Sequence, residues 1–318
     1  MVDRPNKPAA LASTPGLPPQ PQVNISHANS RISAVLPTGE SVEVLLFGAT
    51  VISWKDRAGH EKLWVSDAAK LDGSKAVRGG IPLVFPVFGT APDHAPTSKL
   101  PQHGFARNSK WEFLGKSSSE STSTSQSDAS VKLDFGLSSA TLDEKSRQLW
   151  PYTFSAIYSV TLTPDGLSTG IVITNDGKEP LECQILLHTY LRINDITKVK
   201  VTGLEDSEYI DKVGGVETKS QSGAVTITGE TDRVYTPAKG PSSPVVVAEG
   251  GSTAFSVVRD NLKDVVVWNP WTEKAAGMGD FEPKDGFKNM ICVEAGSVRS
   301  WISLDAGDAF EGAQTISY

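Results

Sequence analysis

FSAIYSVTLTPDGLSTGIVITNDGKEP, residues 154–180, holds two β-branched, apolar-rich runs on either side of Pro-Asp-Gly and closes on Asn-Asp-Gly at 175–177. Short runs of this kind divided by turn residues are the pattern of antiparallel strands joined by hairpins. The same texture lies upstream in SRISAVLPTGESVEVLLFGATVISWKD, residues 30–56, where three runs at 31–36, 41–47 and 50–54 flank a Pro-Thr-Gly turn. Downstream it recurs in LECQILLHTYLRI, then, after a polar region through Gly250, in AFSVVRD, VVVWNPW, ICVEAG and VRSWISLDAGDAFEGAQTISY. A helical period of about 3.6 residues is rarely sustained. The chain therefore reads as one large, mainly β, antiparallel domain over residues 23–318. One helix is expected within Ser138 to Leu149, ended by Trp150-Pro151.

Two segments depart from this texture. Residues 1–22 carry prolines at 5, 8, 15, 18, 19 and 21, a density that blocks helix and central strand, so a disordered leader is expected. KSSSESTSTSQSDAS, residues 116–130, has no apolar area to bury and is expected to be a loop between two strands.

Composition narrows the function classes. With 318 residues, 38% hydrophobic and 21% charged, the chain can bury a sizeable core. Its formal net charge of -7 argues against a nucleic-acid partner bound by bulk electrostatics, though a local basic pocket is allowed. No apolar run approaches the roughly 20 residues of a membrane-spanning helix, and the N-terminus lacks a signal pattern, so a cytoplasmic location and no membrane partner are expected. Cys183 and Cys292 are too few for a disulfide framework, lack metal-ligand spacing, and stand in apolar runs as core residues would.

The segment from Val77 to Trp111 breaks the strand pattern most sharply. VRGGIPLVFPVFG is apolar from Ile81 to Phe88, yet Pro82 and Pro86 cannot donate to a central ladder, so a plain strand is not expected. Gly79 and Gly80 follow Arg78, and Gly104 follows His103, setting polar side chains beside close-approach backbone. Either this is a loop with surface arginines, or it is the rim of a pocket for an anionic, hydroxyl-rich ligand.

Further candidates lie on the strands. At a period of two, residues 181–193 put Glu182, Gln184, Leu186, His188, Tyr190 and Arg192 on one face, away from the more apolar one. His188 is either an ordinary solvated residue or a site histidine. Glu294 interrupts the apolar Ile291-Cys292-Val293 run, so it needs a wet face or a specific task; desolvation would raise its pKa towards that of a general base. Asp232 could accept from a ligand hydroxyl or cap a turn. Trp268 and Trp271 flank a turn and could stack on a sugar or pack together. His94 and His103 are nine positions apart without an obvious third ligand, so no metal site is expected. No nucleophile elbow, phosphate loop or dinucleotide fingerprint is present.

RGGIPLVFPVFG, QHGFAR, LLHTYLRI, ETDRVY, VVVWNPW and CVEAG, in this order, resemble the glucose-6-phosphate 1-epimerase family, relatives of the aldose 1-epimerases, over about residues 28–315. The resemblance implies a galactose-mutarotase-like antiparallel β-supersandwich that interconverts α and β anomers of a hexose 6-phosphate. It implies His188 and Glu294 as catalytic, Arg78, Gln102, Arg107 and Asp232 as substrate-binding, and His103 as a further pocket residue. It implies no cofactor and a small hexose 6-phosphate as partner; a monomer is expected. Two alternatives stand beside it: an aldose 1-epimerase of free sugars, and a carbohydrate-binding module without catalysis.

Overall fold

The computed structural model describes residues 20–28, 30–118 and 129–318. The two runs of residues 154–180 form the strands Phe154–Thr163 and Gly166–Asn175, paired antiparallel from Phe154 against Asn175 to Thr163 against Gly166. Alternation explains their placement: Phe154, Ala156, Tyr158, Val160 and Leu162 are buried, while the residues between them are partly or fully open. Burying each large apolar side chain stabilises by about 1.5–3 kcal/mol relative to leaving it in water, so a slip of one residue in register would be strongly opposed.

Three antiparallel sheets result. A four-stranded sheet is built from Gln22–Ser26, Arg31–Val35, Ser41–Leu45 and Thr50–Lys55 in sequence order. A nine-stranded sheet contains the 154–175 hairpin between Ala309–Ser317 on one side and Val131–Ser138 on the other. An eight-stranded sheet has Thr231–Thr236, Asp264–Asn269, Met290–Leu304 and Leu181–Leu187 as its middle neighbours. One apolar cluster draws on all three, with Ile32 and Val42, Val131 and Ile171, and Val265 and Val293 among its members.

The eight-stranded sheet places the site because both of its faces are largely buried but differ in chemistry. Val265 and Val267 enter the shared core, as do Ile291, Val293 and Ala295. Val266, Trp268 and Cys292 turn to the opposite face, where a second cluster gathers with Tyr190, Leu186 and Trp64. Glu294, two positions after Cys292 on the same strand, shares that second face.

Several expectations take a sharper form. Ile81 to Phe88 contains a strand of only two residues, Leu83–Val84, at one edge of the eight-stranded sheet, which suits its prolines. The expected helix is broken: a single turn covers Ser139–Thr141, and Glu144–Leu149 follows, its N-terminus capped by Asp143, whose carboxylate accepts from Ser146 N–H at 2.9 Å. The polar region before Gly250 carries six short strands, including Val199–Thr202, Glu208–Asp211 and Thr231–Thr236. Their periodic signal is short, yet Val199, Val201, Tyr209 and Tyr235 reach the core. The Trp268-to-Trp271 turn leads from a strand into an unanticipated helix, Trp271–Gly277. Asn269 shapes that turn, accepting from Trp271 N–H and donating to the carbonyls of Phe287 and Met290.

Most of the expected leader and residues 119–128 of the serine-rich tract lie outside the described residues. The chain is already a strand at Gln22, and Lys116, Ser117 and Ser118 belong to the strand Glu112–Ser118, which pairs with Val131–Ser138. Both cysteines are buried free thiols. Among the described residues no helix is long and apolar enough to cross a membrane.

Candidate active site

A row of paired residues crosses the second face of the eight-stranded sheet. Asp232 stands opposite Trp268, Trp268 opposite Cys292, and Cys292 opposite Tyr190; one step along, Val266 stands opposite Glu294. Residues paired across an antiparallel ladder project to the same face, so this register alone brings an aspartate, a tryptophan, a thiol, a phenol and a glutamate together. His188 lies where Leu181–Leu187 ends and before Tyr190–Arg192 begins, in a break that leaves its side chain beside Glu294.

The segment from Val77 to Trp111 folds over this face. Its glycines are required for the approach. Gly79 has φ +121, and a Cβ there would stand 2.4 Å from Val65 Cα; Gly104 has φ +69, and a Cβ there would meet the Phe85 carbonyl oxygen at 2.1 Å. Arg78 and His103, each directly before one of these glycines, are thereby held over the sheet. The backbone N–H of His188 donates to the Pro82 carbonyl at 3.0 Å, tying the two parts together.

Between them lies a cavity of about 230 Å³ lined by Arg78, Gln102, His103, His188, Asp232 and Glu294, with Phe88, Lys212, Trp268 and Lys274 completing the polar and aromatic walls. Six of the seven site residues expected from the resemblance therefore line one cavity. Arg107 stands just behind it, its Nη2 donating to the Gln102 carbonyl at 3.0 Å and its buried Nε lacking a partner among the described residues.

His188 Nδ1 stands 3.3 Å from Glu294 Oε1, with side-chain exposures of 10% and 1%. His188 is thus no solvated strand residue. The contact is an ion pair by distance but no hydrogen bond by angle: His188 Nδ1 and Glu294 Oε2 are buried without hydrogen-bond partners among the described residues. Buried polar atoms are ordinarily satisfied, so two orphans side by side in a cavity mark a place where a ligand supplies the missing partners. Burial, with Asp232 nearby, pushes the Glu294 carboxyl well above its ordinary pKa. Burial, His103, Arg107 and Arg78 push the His188 imidazole well below its own. The two shifts draw the proton affinities of base and acid towards each other, as a coupled pair that exchanges a proton requires.

The other polar groups suit an anionic, hydroxyl-rich guest. Burial disfavours the charge on Arg78, but Tyr190 and Asp280 more than restore it; Nε and Nη2 meet the Asp280 carboxylate at 3.3 and 3.4 Å. Burial pushes the Arg107 guanidinium down to about 10. Burial, then Arg107, Lys212 and Arg78, hold His103 neutral by lowering its pKa well below the usual value. Its Nδ1 accepts from Gly89 N–H at 3.0 Å, which leaves the proton on Nε2. Burial raises the Asp232 carboxyl, against the pull of Lys212, whose Nζ is 3.9 Å away.

His188, Cys292 and Glu294 bring ligand atoms within 4.8 Å of one another, a donor set a soft divalent ion would accept. Two features oppose an ion: burial and neighbouring Glu294 push the Cys292 thiol well above its ordinary pKa, and Arg78, Arg107 and Lys212 surround the cavity with positive charge. His94 lies elsewhere, stacked on Trp301 at 3.5 Å and bonded to Glu182.

Four site residues carried weaker signals or none. Tyr190 was visible on the His188 face of the 181–193 alternation, and Trp268 sat in a turn that allowed either packing or stacking. Lys212 and Lys274 had no distinguishing pattern, because only the hairpin connections around Glu208–Asp211 and the helix Trp271–Gly277 bring them to the cavity.

The aldose 1-epimerase family model matches residues 31–317. A protein of Cenchrus ciliaris, provisionally named glucose-6-phosphate 1-epimerase, is 35% identical over 281 residues, covering 86% of this chain and 80% of its own. The crystal structure of a provisionally assigned mutarotase from Salmonella typhimurium superposes with a TM-score of 0.75 at 29% identity, covering 93% of this chain and 92% of that one. A galactose mutarotase related enzyme from Lactobacillus acidophilus shares the fold alone, with a TM-score of 0.66 at 16% identity, over 89% of this chain and 96% of that one.

Proposed function

The chain belongs to the aldose 1-epimerase family, and on that premise we propose that it is a hexose-6-phosphate mutarotase interconverting the α and β anomers of glucose 6-phosphate. The observation that carries the reading is the His188–Glu294 pair, 3.3 Å apart and buried, each with a polar atom that lacks a hydrogen-bond partner among the described residues, in a cavity lined also by Arg78, Lys212 and Lys274. The name carried by the Cenchrus ciliaris relative points to the same substrate.

The reaction needs one base and one acid. Glu294 takes the proton from the O1 hydroxyl, whose electron pair forms the C1 carbonyl as the C1–O5 bond breaks. The electrons of that bond go to the ring oxygen, which receives a proton from His188. Rotation about C1–C2 presents the other carbonyl face, and the same two transfers run in reverse with roles exchanged. The cycle needs one proton on the pair, carried by His188 when the sugar is bound. A phosphate dianion at Arg78 favours that placement, because this cation depresses the His188 pKa and is not among the charges acting on Glu294. Gln102, Asp232 and His103 suit the sugar hydroxyls, with Asp232 accepting and His103 Nε2 donating.

The cation-rich lining favours the phosphorylated sugar over a free aldose, and a silent binding module would have no use for a paired acid and base. We place this activity in a single domain of residues 23–318 acting as a cytoplasmic monomer; the cavity is complete within one chain, and two buried free thiols suit a reducing compartment. Freshly dissolved α-glucose 6-phosphate followed by NMR exchange tests the reading: the protein should raise the anomerisation rate far above the spontaneous one. An unchanged rate overturns it.

A further inference from the structure

Tyr190 belongs neither to the acid–base pair nor to the groups assigned to the substrate, yet it touches both. Its ring lies 4.7 Å from the His188 imidazole at an interplanar angle of 8°, a parallel stack. Trp268 meets both rings edge-on, at 6.0 Å from His188 and 5.9 Å from Tyr190. Trp64 closes another side of the phenol ring at 6.0 Å and 21°. The imidazole plane is therefore set by its neighbours in a slot with little room to turn.

The hydroxyl has a different partner. Arg78 Nη1 donates to Tyr190 Oη at 3.1 Å, while the rest of the guanidinium is held by Asp280. Packing alone would be met by a phenylalanine, since a buried phenol demands a partner that a phenyl ring does not. The main chain fixes the residue too: Tyr190 N–H donates to the Gly80 carbonyl at 2.9 Å, and its own carbonyl accepts from Trp64 N–H at 3.0 Å. Tyr190 is thus anchored to the glycine-bearing segment that carries Arg78 and to the strand break that carries His188.

We propose that Tyr190 is a positioning residue that mounts the phosphate-gripping arginine and the proton-donating histidine on one side chain, its ring setting the His188 plane and its hydroxyl orienting Arg78. This rests on the mutarotase reading above. The two halves separate by substitution. Tyr190→Phe keeps the stack and frees Arg78, so KM for glucose 6-phosphate should rise about 10-fold with kcat within about 2-fold of wild type, the loss of one charge-assisted hydrogen bond. Combining it with Arg78→Ala should add no more than about a 2-fold further rise in KM over Arg78→Ala alone. Tyr190→Leu removes the stack, and kcat should fall by about 10-fold or more while Tyr190→Phe rescues it. If Tyr190→Leu fails to fold, Tyr190→Met takes its place, and an unaltered kcat in the folded variant overturns the role of the ring. An active wild type with an unaltered KM in Tyr190→Phe, or with fully multiplying losses in the double variant, overturns the inference. A wild type that does not accelerate anomerisation overturns the functional reading and takes this inference with it.

Discussion

Among the described residues two close histidine–glutamate pairs draw one member each from the segment Glu182 to His188, and they are built in opposite ways. His94 Nε2 meets Glu182 Oε2 at 3.0 Å, His94 Nδ1 meets Thr97 Oγ1 at 2.9 Å, and the imidazole is stacked on Trp301. Both ring nitrogens have partners, and the glutamate side chain is 45% exposed. His188 and Glu294 are enclosed, and each keeps a polar atom without a hydrogen-bond partner among the described residues. A satisfied, partly wet pair can only hold the surface together, and weakly. An unsatisfied, dry pair facing a cavity has altered proton affinity and free hydrogen-bonding capacity, which are what acid–base chemistry requires. Residue type and spacing do not distinguish the two; hydrogen-bond completeness does.

Substitution at each pair should separate them most widely. Glu294→Gln should retain glucose 6-phosphate binding by calorimetry but lose at least about 10²-fold in the NMR exchange rate. Near-normal turnover would remove Glu294 as the base and erase the contrast. Next in size, Arg78→Ala should weaken glucose 6-phosphate by about 10- to 100-fold while altering the KM for free glucose far less. Equal losses on both sugars would show that the cations serve the fold rather than the phosphate.

The third effect is a displacement along the pH axis. Arg107 lowers the proton affinity of both Glu294 and His188. Removing this positive charge in Arg107→Ala makes every protonated form easier to reach, so both macroscopic pKa values of the pair should rise. The bell-shaped profile of kcat/KM should therefore move to higher pH on both limbs; a shift downward, or of one limb alone, would contradict the coupling of Arg107 to both groups. The smallest effect belongs to the surface pair: Glu182→Gln should leave turnover within about 2-fold and change unfolding free energy by no more than about 1 kcal/mol in urea titration. A large loss of activity there would join the two pairs functionally.

Much of this was legible beforehand, for reasons visible in particular residues. Strand runs at 31–36 and 154–175 appear because half-buried strands must alternate, and that alternation is local. The same logic put Tyr190 beside His188 and set Glu294 apart from its apolar neighbours. The loop character of Val77 to Trp111 followed from prolines that cannot donate and glycines that permit close approach. The short strands between Thr202 and Gly250 were missed because two to six residues carry too little period to register.

Local pattern sufficed to read an antiparallel β-protein, a carboxylate set in an otherwise apolar strand, and arginines, a glutamine and a histidine on a glycine- and proline-shaped segment. It took the folded chain to show which histidine meets which glutamate, that Arg107 stands behind the cavity rather than in its wall, and that Lys212 and Lys274 join that wall. Alternation is a property of neighbours along the chain. A site assembled from Arg78, His188, Asp232 and Glu294 depends on strand order and register across more than 200 residues, which no local pattern encodes.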